Sequence, residues 1–164
     1  MNRRLDFHIE RGLSFCYETA SLGETKQYKR IKSEGFDVNI RFLFVYPIEK
    51  ALRRIKKGFE DGERHDVART EDQLEMQQHA LLNKLAGHII NNDTVSIYDN
   101  SADVILSARQ LMRKRVAYFE KGVLVWRADA IDISSPEIRN FLKNYKYGRE
   151  TGKVIPFDID TESD

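Results

Sequence analysis

At 164 residues the chain can bury a substantial core within one domain, and a composition 41% hydrophobic and 32% charged is that of an ordinary globular protein. Its 27 basic and 26 acidic residues leave a net charge of +1, so no global field draws it to nucleic acid or to an anionic membrane. The longest apolar run, residues 42–46, is far too short to cross a bilayer, and Met1-Asn2-Arg3-Arg4 leads into Asp6, His8 and Glu10 rather than an apolar signal core, which predicts a cytoplasmic protein without membrane contact. The lone Cys16 has no partner for an internal disulfide, fits a reducing compartment and is expected to fill core.

Taken in chain order, residues 2–11 read as the end of a helix, and residues 13–17 form a nearly continuous apolar run of the kind buried on both faces of a parallel sheet. Ser21 and Glu24 make a capping box for a helix that carries Tyr28 and Ile31 and stops at Gly35. Residues 38–46 alternate at Val38, Ile40 and Phe42 and then turn wholly apolar, predicting a second strand that ends at Pro47. Pro47 opens a helix with Ile48, Ala51, Leu52, Ile55 and Phe59 on one stripe and Lys50, Arg53, Arg54, Lys56 and Lys57 elsewhere. Residues 58–69 read as a mobile connection.

Thr70 and Gln73 make another capping box, followed by Leu74, Leu81, Leu85 and Ile89 at helical spacing. Residues 94–98 predict a third strand, Asp99-Asn100-Ser101 a turn and cap, and Val104, Ala108 and Leu111 the inner face of a further helix. Residues 116–119 and 123–126 around Glu120-Lys121-Gly122 read as a β-hairpin, and Ser135-Pro136 starts a last helix with Ile138, Phe141, Leu142 and Tyr145 on one face. The alternation predicts an α/β fold with parallel strands joined by crossover helices, plus a C-terminal hairpin and helix that could cover the sheet edge. One domain over residues 1–147 is expected, without repeats or linkers, followed by an acidic tail over 148–164 that reads as disordered.

Four local patterns carry a family resemblance: the apolar run into Glu18-Thr19 and Ser21-Leu22-Gly23; the apolar strand to Pro47 with its basic helix; Gly62 with His65-Asp66-Val67; and Tyr98-Asp99-Asn100-Ser101. In their order and spacing they resemble the zeta-toxin family of P-loop kinases over residues 10–112. The resemblance implies a partial P-loop kinase-like three-layer fold and a kinase that uses ATP and magnesium to phosphorylate a sugar nucleotide such as UDP-N-acetylglucosamine. It implies an antitoxin as a possible partner. Glu18 and Thr19 would hold substrate through hydrogen bonds to sugar hydroxyls or amides, against the alternative that they merely leave a strand. Arg54 would reach nucleotide phosphates in bidentate geometry, or else belong to a solvated basic face. Arg64, His65 and Arg69 would close over phosphates as a lid, and Asn100 and Ser101 would lie against the adenine, or else cap a helix.

The sequence departs from the family at decisive places. A Walker A loop needs Gly, four residues, Gly, Lys and Ser or Thr, so that consecutive amides wrap the phosphates while lysine reaches the outer ones. No segment satisfies it; Gly148 to Gly152-Lys153 is one residue short and runs on into Val154. The family's catalytic aspartate belongs upstream of the resemblance, so no residue is assigned as general base, and basic positions after the lid hold Gln73, Leu74 and Glu75. His8, His65, His79 and His88 have no zinc spacing. The expectation is a truncated zeta-toxin-like kinase domain, inactive alone, with a noncatalytic binding or interaction module as the alternative. The family's phosphate-loop strand would sit between residues 13–17 and 38–46, so those strands close on each other, accept a strand from another polypeptide, or leave a weakly stable fragment.

Overall fold

The computed structural model describes residues 2–16, 25–62, 70–102 and 114–145. Helix α1 (Asn2–Glu10) ends where Gly12, at φ 64°, turns the chain back. The Gly12 amide donates to the Ile9 carbonyl and that of Leu13 to His8, both at 3.0 Å, satisfying the last carbonyls of the helix. This closure decides the fate of the apolar run that follows. Instead of the expected buried strand, residues 13–16 are irregular; Leu13 is 45% exposed and Cys16, expected in the core, is exposed too. Only Phe15 turns inward, its ring 6.0 Å from that of Phe36. Tyr17 and the Ser21–Glu24 capping box lie outside the described residues.

Helix α2 (Thr25–Ser33) stops as predicted at Gly35, whose φ of 85° lets its own amide and that of Phe36 reach back to Lys32 and Ile31. Leu5, Tyr28, Ile31 and Val38 form a small core between α1, α2 and the start of the sheet. Lys32 and the Val38 amide both donate to Asp93, at 3.0 and 2.8 Å, tying α2 and the entry to β1 (Asn39–Phe44) to the turn before β2 (Thr94–Asp99). Helix α3 (Ile48–Glu60) follows Pro47, and its predicted apolar stripe is half-buried throughout. Helix α4 (Glu71–Asn91) begins with the expected box, in which Thr70 Oγ1 accepts from the Gln73 amide and Gln73 Oε1 from the Thr70 amide.

The sheet order is β1-β2-β3-β4, with β1 and β2 parallel and the rest antiparallel. The hairpin of β3 (Lys114–Glu120) and β4 (Val123–Arg127) therefore extends the sheet and covers the edge of β2 by pairing along it. Lys121 and Gly122, both at positive φ, make the two-residue turn whose twist matches the strands. Helix α5 (Pro136–Asn144) is capped by Ser135, whose hydroxyl accepts from the Ile138 amide.

One sheet face, Phe42, Phe44, Val95, Ile97, Ala117 and Phe119, packs against Leu82, Leu85 and Ile89 of α4 and Ile138, Phe141 and Leu142 of α5. The opposite face carries the alternating residues of the same strands, which are half-buried or exposed. The structure is thus a mixed α/β domain built on a four-stranded, partly parallel sheet. The expected helix over Val104, Ala108 and Leu111, and the tail over 148–164, lie outside the described residues.

Candidate functional site

In a parallel β-α-β unit the carboxyl ends of the strands leave a crevice where the connecting segments diverge, and ligands bind there in open α/β sheets. Here that end is organised by Asp99, the last residue of β2. Its Oδ1 accepts from the Ser101 amide at 2.8 Å and its Oδ2 from the Ser134 amide at 3.1 Å. Ser101 Oγ accepts from the Tyr46 amide at 2.8 Å and lies 3.0 Å from Ser134 Oγ. Burial alone would raise the Asp99 carboxyl's pKa, but the hydrogen bonds from Ser101 and Ser134 outweigh it and hold the group below the usual carboxylate range. The carboxylate thereby gathers the ends of β1 and β2 and the segment leading to α5.

Helix α3 is fastened over this point by its cations. Arg54 donates through Nη1 to the Asn100 carbonyl and through Nη2 to the Ala102 carbonyl at 2.9 Å, while Lys50 donates to the Ser101 carbonyl. The structure thus brings together three of the predicted nucleotide-binding residues, Arg54, Asn100 and Ser101, but joins them to one another. Among the described residues the guanidinium satisfies carbonyls beyond the strand. Glu18, Thr19, Arg64, His65 and Arg69 lie outside the described residues.

Beside the network lies a cleft of about 320 Å³. Tyr46, Pro47, Ile48 and Leu82 give it an apolar wall, and its rim carries Glu49, Glu71, Glu75, Glu137 and His79. Gln78 reaches from α4 to the Val45 carbonyl at 3.3 Å. Glu49, Glu71 and Glu137 come from the first turns of three helices, where carboxylates offset the amide-rich ends, and Glu75 follows Glu71 one turn further along α4. Among the described residues no group of three or more acidic, histidine or cysteine side chains is arranged to hold a metal. The described part of this crevice does not fit the phosphates of ATP: its rim has their sign of charge, and Lys50 and Arg54 donate to carbonyls.

Sequence reasoning placed Asp99 in a turn but did not find Ser134, Lys50 or the acidic rim as neighbours. Ser134 is thirty-five positions from Asp99, and no local spacing signals that they meet. No protein-family model, curated protein or solved structure matches the chain.

Proposed function

We propose that the chain is a noncatalytic α/β interaction module that accepts a strand from a second polypeptide along β1. The observation that carries this reading is the outer edge of β1. The Val38 and Phe44 carbonyls accept bonds from Thr94 and Asn100, so by the alternation of a parallel ladder Asn39, Arg41 and Leu43 direct their amides and carbonyls away from β2. Among the described residues β1 has β2 as its sole strand neighbour, although Phe42 and Phe44 are buried in the core. A strand anchored in the core with one open edge is a template for β-augmentation. A partner strand would continue the ladder and extend the apolar face beside Phe42.

The test is to compare the chain alone with a fusion supplying the phosphate-loop strand of a zeta toxin, following thermal unfolding and amide hydrogen exchange. The expected result is a higher unfolding temperature and new protection at Asn39, Arg41 and Leu43. Amides already protected in the chain alone, with no gain from fusion, would overturn the reading.

A second reading, a zeta-toxin-like kinase domain inactive by itself, is supported by the gathering of Arg54, Asn100 and Ser101 beyond the parallel pair. Under it, ATP and a sugar nucleotide would be engaged only once a phosphate loop is supplied. Turnover of ATP with UDP-N-acetylglucosamine by the fusion, absent from the chain alone, separates this reading from the first.

A further inference from the structure

The sheet face opposite the core has a composition that strand completion does not use. Register aligns Arg41, Ser96, Tyr118 and Trp126 in one row across all four strands, and Leu43, Tyr98 and Arg115 in the next. The strand residues between these rows point into the core: Phe42, Ile97 and Ala117 are each at most 8% exposed. On the outer side Trp126 is 44% exposed, Tyr98 and Tyr118 are half-buried, and both arginines are exposed. The Arg115 guanidinium lies 5.4 Å from the Tyr118 ring centre and 5.6 Å from that of Trp126, within cation–π range of both.

Charge is sorted in this nearly neutral chain. Four glutamates rim the cleft at the strand ends, whereas these two rows hold two arginines and no acid, with Glu120 in the row beyond them opposite Thr94 and Val123. An apolar partner helix would leave Arg41 and Arg115 to be desolvated without a counter-charge, which is costly. A ligand that alternates flat rings with anions meets both features. Neighbouring strands are about 4.8 Å apart, so rings on β2, β3 and β4 offer stacking positions across the sheet, flanked by cations on β1 and β3.

We propose that this face binds single-stranded nucleic acid, with bases stacking on Tyr98, Tyr118 and Trp126 and phosphates paired with Arg41 and Arg115. Recognition is sequence-tolerant, because every base has a π-face and no row presents a fixed set of donors and acceptors for base edges. A net charge of +1 gives no long-range steering, so affinity depends on stacking and on two local ion pairs.

Trp126 is the sole tryptophan, so its emission reports directly on the face. Titration of the full chain with a short oligothymidylate should quench it saturably, and the logarithm of affinity should fall with the logarithm of salt at a slope of about −1.4, as for two neutralised phosphates on a single strand. Arg41→Gln should halve that slope, leaving quenching at low salt. Trp126→Ala, followed by anisotropy of a labelled oligothymidylate and checked for folding by circular dichroism, should weaken binding about tenfold or more. Absence of quenching and of anisotropy change at millimolar oligonucleotide would overturn the proposal. Equal competition by inorganic polyphosphate, with Trp126→Ala unchanged, would also overturn it by reducing binding to polyanion attraction. So would a concentration-dependent dimer in sedimentation that Trp126→Ala abolishes, since the face would then be occupied by a second copy.

Discussion

Asp99 and Ser134, thirty-five positions apart, are joined by a 3.1 Å bond from the Ser134 amide to the Asp99 carboxylate, which also accepts from Ser101. Because these donors favour the ionised form, the folded pKa lies below the ordinary value of 3.8. A carboxylate whose pKa is depressed on folding stabilises the protein fully above its unfolded pKa and loses that contribution as pH falls through the folded value. Stability should therefore drop below pH 3.8. Asp99→Asn should cost about 1.5–3 kcal/mol at neutral pH and flatten the acid limb of the stability curve, measured by urea unfolding over a pH series. Part of the slope should survive, because Val38 and Lys32 hold Asp93 low in the same way against the opposing effect of burial.

Leu85 is fully buried between α4 and the sheet, with Val95 and Ile97 in the same cluster. Leu85→Ala should destabilise by about 2–5 kcal/mol, the combined cost of lost transfer and the cavity left behind. Chemical denaturation should show a lower midpoint with an unchanged slope.

Thr70 and Gln73 satisfy two of the amides exposed at the start of α4. Thr70→Ala should cost about 1 kcal/mol in denaturant unfolding, and Thr70→Asn should restore most of it.

Lys121 is the sole non-glycine among the described residues at positive φ, with Gly122 following at 81°. Lys121→Asn should stabilise the hairpin by up to about 1 kcal/mol, since asparagine tolerates this conformation, while Gly122→Ala should destabilise by about 1–2 kcal/mol. Opposite shifts in melting temperature for the two variants are the check.

Magnesium-ATP should bind the chain no better than a nonspecific anion, because the cleft rim is acidic and Lys50 and Arg54 donate to carbonyls. Saturable, magnesium-dependent binding in calorimetry at micromolar concentration would contradict this.

Local chemistry made much of the architecture legible. The Thr70–Gln73 box and the apolar recurrence from Leu74 to Ile89 identify α4, and Ser135-Pro136 identifies the start of α5, because capping and helical periodicity involve residues within a few positions of one another. Lys121-Gly122 between two apolar runs marks the hairpin for the same reason. The run at residues 13–17 misled because a short apolar stretch has no periodicity to tell a buried strand from an irregular segment. What decided its described part was the turn at Gly12 and the contact of Phe15 with Phe36.

Composition and local signals alone thus determined a mixed α/β chain, the positions of α2, α4, α5 and the hairpin, and the alternation through Ile40 and Phe42 that opens β1. Tertiary structure decided which strand the hairpin joins, and with it the register that sets Arg41, Tyr118 and Trp126 in one row. It also turned Arg54 onto the carbonyls of Asn100 and Ala102 and brought Ser134 to Asp99. Pairing across a sheet and bonding between distant loops depend on the separations at which packed elements come to rest, whereas capping, turn and periodicity signals extend only a few residues along the chain.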